Sequence, residues 1–243
     1  MRRRIGSGGF ATVWLCYDEQ LDSPVAVKVL ADNWTEDHHV RGRFLEEGRF
    51  LRKVDSPHVV PVYDAGQLED GRPYLVMAYA DQGNLADRLA AGPLTIAQSL
   101  AVIRQVGAGL RALHQRGVLH RDLKPANVLV HNARAVLIDL GIARLLMSEH
   151  SEATEGDPLY GTIEYMAPEA WSGEDDPRSD LYSVGAMVHE ALTGVLPFPV
   201  EGRADVLLAQ RRHEAPRFQW GEVAVPRPVL EVIEQMLAPR PDD

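Results

Sequence analysis

Cys16 is the only cysteine among the 243 residues, so no intramolecular disulfide can hold this chain together. Long apolar runs are missing too. None approaches the roughly 18 residues that a membrane-crossing helix needs, and the charged N-terminus is not followed by the apolar core of a signal peptide. Positive charge is scarce: 25 Lys and Arg stand against 35 Asp and Glu, a formal net charge of −10. Proteins that neutralise nucleic-acid phosphates carry a basic stripe. Here Arg2-Arg3-Arg4 is the only basic triplet at an end, and no nucleic-acid partner is indicated. Neither a solenoid-period repeat nor a low-complexity tract is present. What remains is an ordinary core-forming composition, 45% hydrophobic and 25% charged, sufficient for one large domain or two small lobes.

Residues 1–80 read mostly as β. Runs at 12–17 and 25–30 are β-branched or aromatic, with a turn at Asp22-Ser23-Pro24 between them. Residues 59–65 and 73–79 make a second pair around Glu69-Asp70-Gly71. One helix interrupts them over about 37–54 and ends at Asp55-Ser56-Pro57. Beyond Ala80-Asp81-Gln82-Gly83-Asn84 the chain turns helical. Thr95 and Gln98 form a capping box, and Ile96, Leu100, Ile103, Leu110 and Leu113 follow at helical spacing until Gly117. A second long helix is expected over 179–193 with Gly194 past its end, and shorter ones over 203–213 and 228–238. A β-rich lobe with one helix (1–80) before a larger helical lobe (81–243) is an α+β organisation.

Three segments carry chemistry. Ile5-Gly6-Ser7-Gly8-Gly9-Phe10-Ala11-Thr12-Val13 is a glycine-rich turn between strands, where missing side chains let backbone N–H groups approach phosphate oxygens. Taken alone it is more simply a hairpin turn. Val25-Ala26-Val27-Lys28 puts a lysine in an apolar strand. A solvated lysine is the commoner case, and alternation does not decide its face. The following helix bears on it: Phe44, Glu47 and Leu51 share one face at i, i+3 and i+7, whereas Glu46 is turned about 100° away. A carboxylate on a core-facing stripe wants a cation, and Lys28 is a candidate. Finally, His120-Arg121-Asp122-Leu123-Lys124-Pro125-Ala126-Asn127 lies on a loop before one short strand (128–130), and a second (135–138) delivers Asp139-Leu140-Gly141. Two acids and an asparagine at strand ends can hold hydrated Mg²⁺ and accept a hydroxyl proton.

In this order the motifs resemble the signature set of protein kinases, specifically the eukaryotic-like serine/threonine protein kinases of bacteria, from Ile5 to about Leu237. The resemblance implies a two-lobed kinase fold and ATP-dependent phosphorylation of Ser and Thr hydroxyls on proteins. Gly6, Gly8 and Gly9, with Ile5, Ser7 and Phe10 around them, resemble the phosphate-covering loop, although Ala11 stands where a third glycine is usual. Lys28 resembles the lysine that holds the α- and β-phosphates and pairs with Glu47. Asp122 matches the catalytic acid, Asn127 and Asp139 the two Mg²⁺ (or Mn²⁺) ligands, and Lys124 the cation that neutralises the γ-phosphate in Ser/Thr kinases. Met77 resembles the residue behind the adenine pocket. The Ala78 carbonyl and Ala80 amide resemble the groups that read adenine, with Ala26, Val13 and Leu129 sandwiching the ring. Leu140 keeps an apolar plug where phenylalanine is commoner.

The resemblance also implies regulation. Arg121 matches an arginine that binds an activation-segment phosphate, and Thr154 is the expected phosphosite ahead of Ser148 and Ser151. Thr162 resembles the threonine that shapes the acceptor site; a plain turn threonine is the equal alternative. Protein substrates are the implied partners, with a homodimer for trans-autophosphorylation. The implied location is cytoplasmic, as a free protein or as the cytoplasmic part of a longer, membrane-anchored one. Both ends are expected to be trimmed relative to the family, which would leave Glu169 buried without its arginine. Two other functions compete: a non-catalytic nucleotide-binding scaffold, which the intact Lys28, Asp122, Asn127 and Asp139 disfavour, and a small-molecule phosphotransferase, which Lys124 and residues 161–169 disfavour.

Overall fold

Antiparallel pairing of the N-terminal strands produces one twisted sheet. The computed structural model describes residues 3–131, 134–140, 163–198, 208–210 and 224–242. Its strands β1 (Arg3–Ser7), β2 (Ala11–Asp18), β3 (Ser23–Leu30), β4 (Val62–Gln67) and β5 (Pro73–Ala78) lie in the order β1-β2-β3-β5-β4. Register decides what alternation could not. Lys28 stands opposite Val13 on one side and Leu75 on the other, while Ala26 stands opposite Met77. Directly opposed residues share a face, as do residues two apart. Lys28 therefore joins Ala26, Met77 and the fully buried Leu75 on the inner face.

The turn between β2 and β3 falls at residues 19–22, slightly earlier than expected, with Asp22 in the left-handed region (φ 49°). Ser23 and Pro24 already belong to β3. The strand before the glycine-rich turn reaches further than expected: β1 takes up Ile5, Gly6 and Ser7 and pairs with β2 through an irregularity between Arg4 and Gly6. Part of the glycine-rich segment is thus ladder rather than turn.

Helix α1 (His38–Arg52) starts where the Asp37 carboxylate accepts from the His39 and Val40 amides. It buries Val40, Phe44, Glu47, Gly48 and Leu51 against the sheet. Gly48 allows a close approach: a Cβ there would come within 2.4 Å of Leu75 Cδ2, and the Leu75 side chain would have to shift.

After the hinge comes a short helix, α2 (Leu85–Ala90), capped by Asn84; six residues are too few for apolar periodicity to announce it. Helix α3 (Ile96–His114) carries the expected Thr95/Gln98 capping box. The strands β6 (Val128–His131) and β7 (Arg134–Leu137) form a separate two-stranded sheet. Helix α4 (Pro177–Thr193) begins two residues earlier than expected, because Asp176 caps it and Pro177 fits its first turn. Gly194, at φ 79°, ends it. Helix α5 (Arg227–Met236) packs on α4, and α4 packs on α3. Of the helix expected over 203–213, only 208–210 are described, and they are helical. One apolar core runs through both parts, from Leu75 through Leu110 and Leu137 to Met187 and Ile233. The architecture is α+β, a β-sheet lobe on a helical lobe.

Candidate active site

A cleft of about 950 Å³ opens between the five-stranded sheet and the helical part. Ile5, Gly6, Ser7, Gly8, Gly9, Phe10, Val13, Ala26, Met77 and Ala78 line it from the sheet and its glycine-rich turn, Ala80 from the connection between lobes, and Leu129 from β6. Lys28, Glu47, Asp122, Lys124, Asn127 and Asp139 are among its charged and polar lining residues. Residues as far apart in sequence as Ile5 and Asp139 thus share one cavity.

On the sheet side, Lys28 Nζ lies 2.8 Å from Glu47 Oε1 and 2.8 Å from Asp139 Oδ1. Its ammonium also faces the Phe44 ring. Burial alone would lower the Lys28 pKa, but the charges of Asp139 and Glu47 outweigh it and hold the ammonium above its ordinary range. Burial pushes the Glu47 carboxyl up, with Lys28 opposing. For Asp139 burial works upward, yet Lys28 prevails and the carboxyl is held low. Asp139 still shows 36% of its side chain to the cleft, so one carboxylate serves both the lysine and the cavity.

On the opposite side, the Asp122 carboxylate is gripped by two neighbours. Lys124 Nζ lies 2.9 Å from Asp122 Oδ2, and Asn127 Nδ2 donates to Asp122 Oδ2 at 2.9 Å and to its carbonyl at 2.8 Å. The backbone here is unusual: Arg121 and Asp139 both have positive φ, 65° and 55°. Such residues persist only where the surroundings over-determine them. For Arg121 the surroundings are Asp180, in the first turn of α4. Its buried carboxylate accepts from the His120 amide at 2.8 Å, the Arg121 amide at 2.9 Å and His114 Nε2 at 2.7 Å. Burial works against this charge, but the His114 bond, the His120 ring and the two amides hold the carboxyl low.

Sequence reasoning missed Asp180. An acid in a helix's first turn reads as a dipole partner, and nothing in the spacing says that it reaches a loop 60 residues upstream. It also missed Asp175, whose Oδ2 lies 2.5 Å from Arg121 Nε. The guanidinium expected to receive a phosphate therefore already carries a carboxylate. Glu169 differs from expectation as well. It is half-buried rather than buried, and it accepts a hydrogen bond from Ser179 Oγ at 2.6 Å. Thr154 and Thr162 lie outside the described residues, as do Ser148, Ser151 and Gly141.

Two buried imidazoles should make the fold acid-sensitive. Burial holds His120 and His189 below the ordinary histidine range. Between that depressed folded value and about 6.5, the unfolded chain binds protons that the folded chain does not. Their contribution is therefore complete above about pH 6.5 and is lost as pH falls toward the folded values. The urea midpoint should drop between pH 7.5 and pH 5.5, before most carboxylates titrate, and His189→Gln should flatten that drop. A midpoint constant across this window would show that the imidazoles protonate without cost.

With the geometry in view, comparison with known proteins is direct. A family model described as the protein kinase domain matches residues 1–243. The chain belongs to the protein kinase family. Among its relatives, serine/threonine-protein kinase PknJ of Mycobacterium tuberculosis is 38% identical over 223 residues, 89% of this chain and 37% of that protein. PknL of the same organism is 36% identical over 247 residues, 100% of this chain and 61% of PknL. PrkC of Bacillus subtilis is 34% identical over 242 residues, 98% and 37%. The kinase chain described here thus spans less than two thirds of each relative. A solved structure of Rad53 matches the same kinase fold with a TM-score of 0.83 at 24% identity, covering 100% of this chain and 60% of that one. No helix among the described residues is long and apolar enough to cross a membrane.

Proposed function

We propose that this chain transfers the γ-phosphoryl group of ATP to serine or threonine hydroxyls of proteins. One observation carries the reading: Lys28, tied to Glu47 and Asp139, faces the Asp122–Lys124–Asn127 cluster across a single cleft. In phosphoryl transfer the protein contributes positioning and electrostatics rather than covalent chemistry. The bond between the γ-phosphorus and the acceptor oxygen forms as the bond to the β,γ-bridging oxygen breaks, and ADP leaves with that electron pair. Asp122 orients the hydroxyl and takes its proton. Lys124, 2.9 Å from Asp122 Oδ2, offsets the charge on the moving phosphoryl group. Lys28 holds the non-transferred phosphates, and Glu47 holds Lys28. The glycines at 6, 8 and 9 let the backbone of the turn come close to the same phosphates, while Val13, Ala26 and Leu129 enclose the adenine and Ala78 and Ala80 read its edge.

The site also suits Mg²⁺, or Mn²⁺. Its residues offer hard oxygen donors, and the Asn127 bonds to Asp122 use the amide nitrogen, which leaves the oxygen Oδ1 as the donor for a cation. Asp139 turns one oxygen to Lys28 and keeps part of its carboxylate open. Mg²⁺ commonly takes only one or two such protein ligands and fills the rest with water and phosphate. When bound, held by Asn127 and Asp139, the ion would neutralise phosphate charge. Rad53, similar in fold, was solved in complex with AMP-PNP, and a nucleotide of that kind is what we propose here.

The remaining parts of the reading are regulatory. Thr154 would be the activating phosphosite, modified in trans by a second copy, and Thr162 would shape the acceptor site. The chain would work on the cytoplasmic side, free or as part of a longer anchored protein. The test is incubation with γ-labelled ATP, Mg²⁺ and myelin basic protein, followed by phosphoamino-acid analysis. Label on serine and threonine, lost in Asp122→Asn, is the expected result. Nucleotide binding without transfer to protein would instead make the chain a scaffold.

A further inference from the structure

The glycine-rich turn is gripped from outside the cleft. After β3 the chain makes a short 3₁₀ turn, Asp32–Trp34, closed by the Trp34 amide donating to the Ala31 carbonyl at 3.1 Å. That turn aims the indole back at the tip of the glycine segment. Trp34 Nε1 donates to the Gly9 carbonyl at 2.9 Å. The indole stacks on Phe10, with ring centroids 5.1 Å apart and planes inclined by 19°. The Ala31 amide donates to the Phe10 carbonyl at 2.8 Å. Both successive carbonyls at the tip thus point at residues 31–34, and the Gly8 amide closes the turn on Ala11 at 2.9 Å.

This grip matters because the tip of the turn is rich in glycine. Glycines at 6, 8 and 9 give the backbone a wide choice of conformations. A turn that must hold N–H groups against phosphates loses that freedom when ligand binds, and the loss weakens affinity. A contact that restricts the turn beforehand removes part of the loss. With the Gly9 and Phe10 carbonyls bonded to residues 31–34 and the Gly8 amide bonded to Ala11, the conformation of the tip is restricted before ligand binds.

We propose that Trp34 is a positioning residue that latches the glycine-rich turn and thereby sets how tightly nucleotide is held and how fast ADP leaves. The proposal rests on the kinase reading above, since it assigns the turn to phosphate binding. Trp34 touches neither substrate nor reacting atoms; it acts through Gly9 and Phe10.

The experiment compares Trp34→Ala and Trp34→Phe with the unaltered chain. Trp34→Ala removes the stack and the hydrogen bond together. Trp34→Phe keeps an aromatic partner for Phe10 and loses only the bond to Gly9. Affinity for a fluorescent ATP analogue, steady-state kinetics and thermal melting are read in parallel. For Trp34→Ala the expected result is an ATP KM and analogue Kd raised about tenfold, the size of one stacking contact plus one hydrogen bond. The KM for the protein substrate should stay put, kcat should not fall in step, and Trp34→Phe should lie between. A merely structural role would instead lower melting, raise both KM values and lower kcat. Hydrogen exchange of the amides at 8–10 should speed up in Trp34→Ala, a readout that needs no phosphotransfer. If the unaltered chain transfers no phosphate, the kinase reading fails while exchange and analogue binding still report on the latch. If Trp34→Ala does not fold, Trp34→Phe decides. A folded variant with unchanged analogue affinity, ATP KM and exchange at 8–10 overturns the proposal.

Discussion

Lys28→Met should reduce phosphotransfer by about 10²–10³-fold, the scale on which removing one preorganised donor from a reacting site is felt. Methionine keeps most of the apolar stem beside Phe44 but removes the cation that joins Glu47 to Asp139. Loss of a buried cation ordinarily leaves its partner charge stranded, at a cost of about 3–5 kcal/mol. Here there is an escape. Burial already pushes the Glu47 carboxyl up, so without Lys28 it can take a proton and remain buried as a neutral acid. The fold should therefore survive while turnover does not. Circular dichroism and the transfer assay, run on the same sample, check both halves. A variant that keeps its fold and its full rate would remove Lys28 from the mechanism.

Asp180→Ala should have the largest effect on stability. Three donors converge on that carboxylate: two backbone amides of the catalytic loop and the His114 ring. Each buried donor left without an acceptor costs about 1–3 kcal/mol. Losing all three should therefore lower the melting temperature by on the order of 10 °C, at about 2–4 °C per kcal/mol for a domain of this size. The positive φ of Arg121 should relax as well, taking Asp122 with it. Consequently kcat should fall even at temperatures where the variant is folded. Asp180→Asn keeps one oxygen acceptor and should lie between. A drop in melting with kcat unchanged would show that the loop holds its shape without Asp180.

How much of this was readable beforehand follows from the kind of signal each feature leaves. Helical phase put Phe44, Glu47 and Leu51 on one stripe, and all three are buried, because one period governs a whole helix. The strand carrying Lys28 left its direction open, because that choice rests on register with Val13 and Leu75, a property of pairs of strands. The run from His120 to Asn127 displayed its chemistry openly, since spacing along one loop is spacing in space. What holds that loop was hidden: Asp180 and Asp175 come from beyond the activation segment, and only tertiary packing brings them to Arg121. Trp34 was silent for the same reason. In the sequence it is one aromatic in a polar stretch, and its meaning lies in the 25 residues that separate it from Gly9.

Helix α4 has a consequence for the order in which the molecule comes apart. Twelve of its 17 residues are buried, including Tyr182, Met187 and Leu192, and capping interactions close it at both ends. Such a segment exchanges its amide hydrogens only when the whole domain opens, whereas exposed turns exchange through small local openings. Through Asp180 the catalytic loop is fastened to this slowest-opening part of the protein. On the sheet side of the cleft, the glycine-rich turn is attached outward to the short segment 31–34. The two walls of one cavity are therefore fastened differently: the loop bearing Asp122 to a long buried helix, and the glycine-rich turn to a short 3₁₀ turn.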